Sequence, residues 1–292
     1  MIRYRKGEDV NVLFDGIYSE SFSISLGDDL FFRGEVHAPK DRANKPVILV
    51  CHGFKGHKDW NFFPRTADEL ASNGYYAIRF NFSCNGVKDV DFDELDKFAV
   101  NTYSRELDDL AVLMEYMKEQ KLPFSEQFDL ERVGMIGHSR GGATSVIFAA
   151  ENPEVKGIAC WNGVSDVDFL NEDLKEDICK NGTGYIANKR TNQDMPLKSN
   201  ILEDIKNNKD RFNILTTLKT MDAPVLIVQG DADSEWLRKG AEKMNQAAPH
   251  HSLVIIEGGT HTFNASHPLN EVPIQLNQAQ DETINFFHNI LW

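Results

Sequence analysis

From residue 46 onward, apolar runs alternate with amphipathic stretches. Val47-Ile48-Leu49-Val50-Cys51 follows Pro46 as a continuous apolar run, the pattern of a strand buried on both faces of a sheet. Residues 76–80, 133–136, 225–229 and 253–256, with Val155–Trp161, read the same way. Helical patterns lie between them. Pro64 opens a helix over 66–72 that Asn73-Gly74 terminates. A longer helix carries Tyr103, Leu107, Leu110, Met114 and Met117 at alternating steps of four and three, a stripe that core packing explains. Residues 143–150 form a helix of small residues, another helix separates the last two strands, and 283–290 predicts a closing helix. Ahead of this series, 21–25 and Leu30–Ala38 read as two strands joined through Gly27-Asp28-Asp29. Strand and helix in strict turn specify an α/β protein, its mostly parallel sheet covered on both faces and its chemistry gathered at the carboxyl ends of the strands.

One segment breaks the rhythm. Between Asn162 and Thr220 there is far more chain than a crossover needs. It begins acidic (Asp166, Asp168, Glu172, Asp173, Glu176, Asp177) and carries scattered apolar residues, among them Phe169, Ile178, Tyr185, Met195 and Leu197. The expectation is a single domain over 1–292 in which 165–220 is an inserted helical lid. A structural excursion packed at the sheet edge is the alternative.

Composition narrows the partners. Hydrophobic residues at 41% and charged residues at 26% over 292 residues describe a globular protein with a substantial core. A net charge of −14 argues against nucleic acid and anionic membranes, and disfavours highly anionic substrates. The basic N-terminus, Met1 to Glu8, leads into no apolar signal core, and no run approaches a membrane span. Cys51, Cys84, Cys160 and Cys179 are scattered without metal-ligand spacing. A reduced cytoplasmic protein without a structural metal is expected. Oligomeric state is not readable.

The chemistry concentrates at Gly137-His138-Ser139-Arg140-Gly141. An apolar strand runs into Gly-x-Ser-x-Gly and a helix follows at once, the context in which a serine is held at a tight turn with its hydroxyl exposed. A plain helix cap is the alternative reading of Ser139. A serine nucleophile needs a histidine base, and that histidine needs a carboxylate to hold its tautomer. The required chain order of Ser, acid, His selects His261, in Gly258-Gly259-Thr260-His261 directly after a strand. His250 and His251 precede that strand, His267 lies in a loop and His288 in the final helix. Asp231 and Asp233 both follow the strand 225–229. Asp233 is preferred as the acid, with Asp231 supporting the turn. For an oxyanion hole, the Arg140 amide and the Phe54 amide in His52-Gly53-Phe54 are the candidates. Neither glycine-rich loop has the Gly-Lys-Ser/Thr ending of a nucleotide site.

Together, His52-Gly53-Phe54, the elbow, Gly230-Asp231-Ala232-Asp233 and Gly259-Thr260-His261 resemble the motifs of the α/β-hydrolase superfamily. The resemblance runs from about Val47 to the C-terminus. Within the superfamily the chain is similar to bacterial feruloyl (cinnamoyl) esterases and dienelactone-hydrolase-related proteins. The serine departs from dienelactone hydrolases proper, which use cysteine. The resemblance implies a cofactor-free serine carboxylesterase acting on a small-molecule ester with an aromatic or short acyl group, its pocket completed by the insertion. A peptidase, thioesterase or acyltransferase on the same triad, or a non-catalytic binding protein on the same fold, are the other readings.

Overall fold

The computed structural model describes residues 11–12 and 16–292; the basic stretch Met1 to Glu8 lies outside them. Nine strands form one sheet in the order β1-β2-β3-β5-β4-β6-β7-β10-β11. The antiparallel edge is β1 (Asn11–Val12), β2 (Tyr18–Gly27) and β3 (Leu30–Ala38). Asp28 and Asp29, at φ 44° and 58°, make the β2–β3 turn with both central residues left-handed, the geometry that matches the twist of a hairpin. β5 (Tyr76–Asn81) pairs antiparallel with β3 and parallel with β4 (Lys45–Cys51). From there β6 (Phe128–His138), β7 (Val155–Trp161), β10 (Val225–Gly230) and β11 (Ser252–Ile256) continue in parallel. The chain builds outward from β4 first to one side and then to the other. A crevice therefore opens at the carboxyl ends of β4 and β6, the usual ligand position in such sheets.

Helices cover both faces. On one face α3 (Tyr103–Lys118), α4 (Arg140–Glu151) and α8 (Glu235–Ala247) bury Leu107, Met114, Val146, Leu237 and Met244 against the sheet. Thr102 caps α3 by accepting from Arg105 N at 3.1 Å, and the stripe from Tyr103 to Met117 is buried. On the other face α1 (Phe63–Ser72) and α9 (Ile274–Leu291) bury Phe63, Leu70, Leu276 and Phe287. α9 starts nine residues before the 283–290 expectation. Its first turns are rich in Gln and Asn, yet Leu276, Ala279 and Gln280 continue the buried face. No helix among the described residues is long and apolar enough to cross a membrane. All four cysteines are free.

The insertion between β7 and β10 is not wholly helical. It contains α5 (Glu172–Asn181), α6 (Asn200–Asn207) and α7 (Ile214–Thr220), and also an antiparallel hairpin of β8 (Thr183–Asn188) and β9 (Gln193–Lys198). Leu174, Ile178, Met195, Leu197 and Ile201 make a small core of their own, closed by Phe92 and Phe98 from the segment after β5. A four-residue helix, α2 (Leu95–Phe98), carries that second aromatic.

Candidate active site

Ser139 joins β6 to α4 at φ 57° and ψ −119°, a conformation a serine holds only when its surroundings impose it. Its N–H donates to Trp161 O at 2.9 Å, and its carbonyl accepts from Gly142 N at 3.0 Å. Strand and helix approach so closely that a Cβ on Gly137 would stand 2.2 Å from Gly141 O, which excludes any side chain there.

The loops after β10 and β11 deliver Asp233 and His261. His261 Nδ1 lies 2.8 Å from Asp233 Oδ2, whose side chain is 4% exposed. Burial alone would raise the Asp233 carboxyl. The hydrogen bond and charge of His261, the Ser234 amide and Gln229 outweigh it and hold the group below the usual value. An ionised acceptor at Nδ1 keeps the ring proton there and leaves Nε2 free to accept. Asp231 faces away from this pair and accepts from Gly258 N at 2.7 Å, tying the two loops together. The other late histidines lie elsewhere. His251 is bonded to Leu218 O at the amino end of β11, His267 accepts from Asn61 N, and His288 lies within α9.

The loop after β4 lies against the nucleophile turn, where a Cβ on Gly53 would be 3.0 Å from Ser139 Cβ. His52 Nε2 accepts from Phe82 N at 3.3 Å, so its proton resides on Nδ1 and is donated to Gly53 O at 2.9 Å. Gly56 N donates to the same oxygen at 3.0 Å. With that carbonyl pinned, the planar trans peptide turns the Phe54 N–H the opposite way. Neither the Phe54 nor the Arg140 amide donates to a loop or side-chain acceptor among the described residues. The Phe54 ring meanwhile packs on Phe98 and Phe169 at 5.4 and 5.1 Å between centroids.

Three supporting side chains had no signal in sequence. His138, 3% exposed, contacts His261 ring to ring at 4.7 Å and donates Nε2–H to His261 O at 2.8 Å. Asn162, fully buried at φ 44°, donates to His261 O and Thr260 O and accepts from Gly230 N at 2.8 Å, bracing the acid loop to the histidine loop. Arg140, whose amide alone figured in the sequence reading, has a buried guanidinium 2.9 Å from Glu106 and 4.1 Å above the Tyr103 ring. Glu106 also accepts from Thr144 and Asn101, so the first turn of α4 is anchored to α3. Burial pushes both His52 and His138 down to about 3, so each stays neutral as its hydrogen bonds demand.

Ser139 and His261 share a cavity of about 420 Å³ whose walls include Phe54, Trp60 and the β8–β9 turn from Ala187 to Arg190. Lys55 Nζ donates to Ala187 O at 3.1 Å, Arg190 donates back to Lys55 O, and the Arg190 guanidinium lies 4.3 Å from the Trp60 ring centre. The hairpin is thus strapped to the loop that bears Phe54. Among the described residues no group of three His, Cys, Asp or Glu is placed to hold a metal ion.

Comparison with known proteins places this geometry in a lineage. Over 147 residues the chain is 26% identical to an uncharacterized 31.7 kDa protein of the traX-finO intergenic region of Escherichia coli, covering 50% of this chain and 46% of that one. The chain spans less than half the length of the curated relatives it matches. Est1E from Butyrivibrio proteoclasticus, solved with ferulic acid bound, superposes with a TM-score of 0.70 at 20% identity, covering 92% of this chain and 98% of that one. The α/β hydrolase GrgF from Penicillium sp. sh18 superposes at 0.72 with 14% identity, covering 94% and 99%. These likenesses show the α/β-hydrolase fold. The family model for dienelactone hydrolases matches residues 32–291, and the chain accordingly belongs to the dienelactone hydrolase family.

Proposed function

We propose that this hydrolase cleaves carboxylic esters through an acyl-enzyme on Ser139, with His261 as general base and acid, Asp233 as its orienting carboxylate, and the Phe54 and Arg140 amides as oxyanion donors. The observation that carries the proposal is the 2.8 Å bond from His261 to a buried, ionised Asp233, in a histidine that lines one cavity with a strained Ser139. His261 Nε2 takes the Ser139 proton as Oγ attacks the ester carbonyl. The developing oxyanion is held by two amides that need no reorganisation. The same proton then passes to the departing alcohol, and His261 activates water against the acyl-enzyme. The β8–β9 hairpin acts as the lid over the cavity, and aromatic or short acyl groups are the favoured class, as Phe54, Trp60 and the ligand of Est1E suggest. A fluorophosphonate probe tests the nucleophile: it should label the protein and fail to label Ser139→Ala. A panel of p-nitrophenyl and hydroxycinnamate esters, with matching amides and thioesters, tests the class. Labelling that survives Ser139→Ala, or faster turnover of the amides or thioesters, overturns the assignment.

A further inference from the structure

A second cavity, of about 650 Å³ against about 420 Å³ for the catalytic one, opens where the insertion meets the body of the fold. The two share no lining residue, and neither Ser139 nor His261 reaches the second. Its wall is built from the loop after β7 (Ser165 to Asp168), from Lys175 and Cys179 on α5, from α6 with the turn that follows it, and from the start of α7. Apolar walls carrying a few charged groups, at this volume, are the ordinary make-up of a small-molecule site. The α6 side chains are graded along the wall. Leu202, Ile205, Lys206 and Lys209 follow at steps of three, one and three, so they share one helical face that is apolar at its start and cationic at its end. Ile201, one residue earlier, is instead spent on the insertion's own core. Phe212, Ile214 and Leu215 extend the apolar surface opposite. Three lysines line the cavity against two aspartates. Lys175 is committed to Asp168 at 2.6 Å and Glu172 at 2.9 Å, and Asp166 accepts from the Asp168 amide at 3.0 Å. Lys206 and Lys209 form no ion pair among the described residues. An apolar wall that ends in two unpaired ammonium groups complements a ligand with an apolar tail and an anionic head.

We infer that this cavity is a second binding site, distinct from the catalytic one, for an alkyl carboxylate of medium chain length, its tail against Leu202, Ile205 and Phe212 and its head at Lys206 and Lys209. The inference stands on the cavity and does not need Ser139 to cleave esters. Cys179 supplies the reporter. It lines the cavity and is exposed, while Cys51, Cys84 and Cys160 are buried, so N-ethylmaleimide reads this one wall. Octanoate should slow alkylation of Cys179. Octanamide should protect about fivefold more weakly, the scale of one partly exposed ion pair, and octylammonium more weakly still. From hexanoate to decanoate, all below their micelle concentrations, the half-protecting concentration should fall about fourfold for each methylene, as burial of an alkyl chain requires. Lys206→Gln combined with Lys209→Gln should bring octanoate down to the level of octanamide and leave octanamide unchanged. Ile205→Trp should fill the space and abolish protection while Cys179 still reacts. Both lysines are exposed, so the double variant keeps the test decisive if Ile205→Trp does not fold. An alkylation rate that octanoate leaves unchanged overturns the inference. Equal protection by octanoate, octanamide and octylammonium overturns it too, since that marks an apolar crevice without recognition of the head group. Protection that persists in a folded Ile205→Trp variant does the same, because the ligand would then lie elsewhere.

Discussion

Acidification should weaken this protein through two buried imidazoles, against an opposing contribution from Asp109, whose carboxyl burial raises to about 7. His52 and His138 are each 3% exposed, and burial pushes both from 6.5 down to about 3. Between those values the unfolded chain binds two protons that the folded protein does not. Unfolding free energy therefore falls as pH falls, because the slope follows the protons bound by the unfolded state minus those bound by the native one. The contribution is fully present above about pH 6.5, and its loss stops near pH 3, where the folded rings protonate too. From pH 6.5 to 4.5 each ring accounts for about 2 kcal/mol, so the pair removes about 4 to 5 kcal/mol. Asp109, which takes up its proton only in the folded state there, returns about 2 to 3 kcal/mol and leaves a net loss of about 2 kcal/mol. His57 and His251, also lowered by burial, act in the same direction. Urea unfolding followed by circular dichroism at half-unit steps of pH measures the slope. His138→Gln, which keeps an N–H donor, and His52→Asn should each remove about one proton from it. A flat stability between pH 6.5 and 4.5, or a slope that both variants leave intact, would refute the reasoning. Because the folded rings stay neutral down to about pH 3, the hydrogen bonds by which His52 pins the Phe54 peptide and His138 the carbonyl of His261 persist through this window.

Further outcomes follow from the site. Asp233→Asn should lower kcat by about 10⁴ through the wrong imidazole tautomer, while Asp231→Asn, which bonds only the Gly258 amide, should cost about 1 kcal/mol of stability with kcat nearly retained; kinetics and thermal melts on both variants decide between them. Asn162→Ala leaves the buried Gly230 amide unpaired and should destabilise by about 1 to 3 kcal/mol, read by urea unfolding, with a drop in kcat larger than any rise in KM. Gly230→Ala would drive a methyl to 2.2 Å from Gly259 O, so the acid and histidine loops should part and turnover collapse more than stability, measured as kcat against melting temperature.

Strands such as β4 and β10 were legible because burial on both faces leaves one unbroken apolar run, a pattern that needs no tertiary context. The positions of Ser139, Asp233 and His261 were legible for a related reason: each follows such a run, and their order along the chain admits few alternatives. The β8–β9 hairpin was not, because its strands are short, hold Gly184 and Pro196, and stand on a core assembled partly from Phe92 and Phe98 nearly a hundred residues earlier. Asn162 and His138 were invisible for a different cause. Their partners include main-chain atoms 68 to 123 residues away, and a bond to a carbonyl leaves no trace in the identity of the residue that supplies it.

The insertion's small core has a consequence for anyone who would exchange it between relatives. Leu174, Ile178, Met195, Leu197 and Ile201 close over Phe92 and Phe98, and Phe54 packs against the same cluster. A transplant of 165–220 alone would strand two aromatic rings against foreign neighbours and disturb the loop that bears Phe54. On the proposed reading, in which the insertion completes the pocket, chimeras that carry 87–98 together with the insertion should acquire a donor's substrate range, and chimeras of the insertion alone should not.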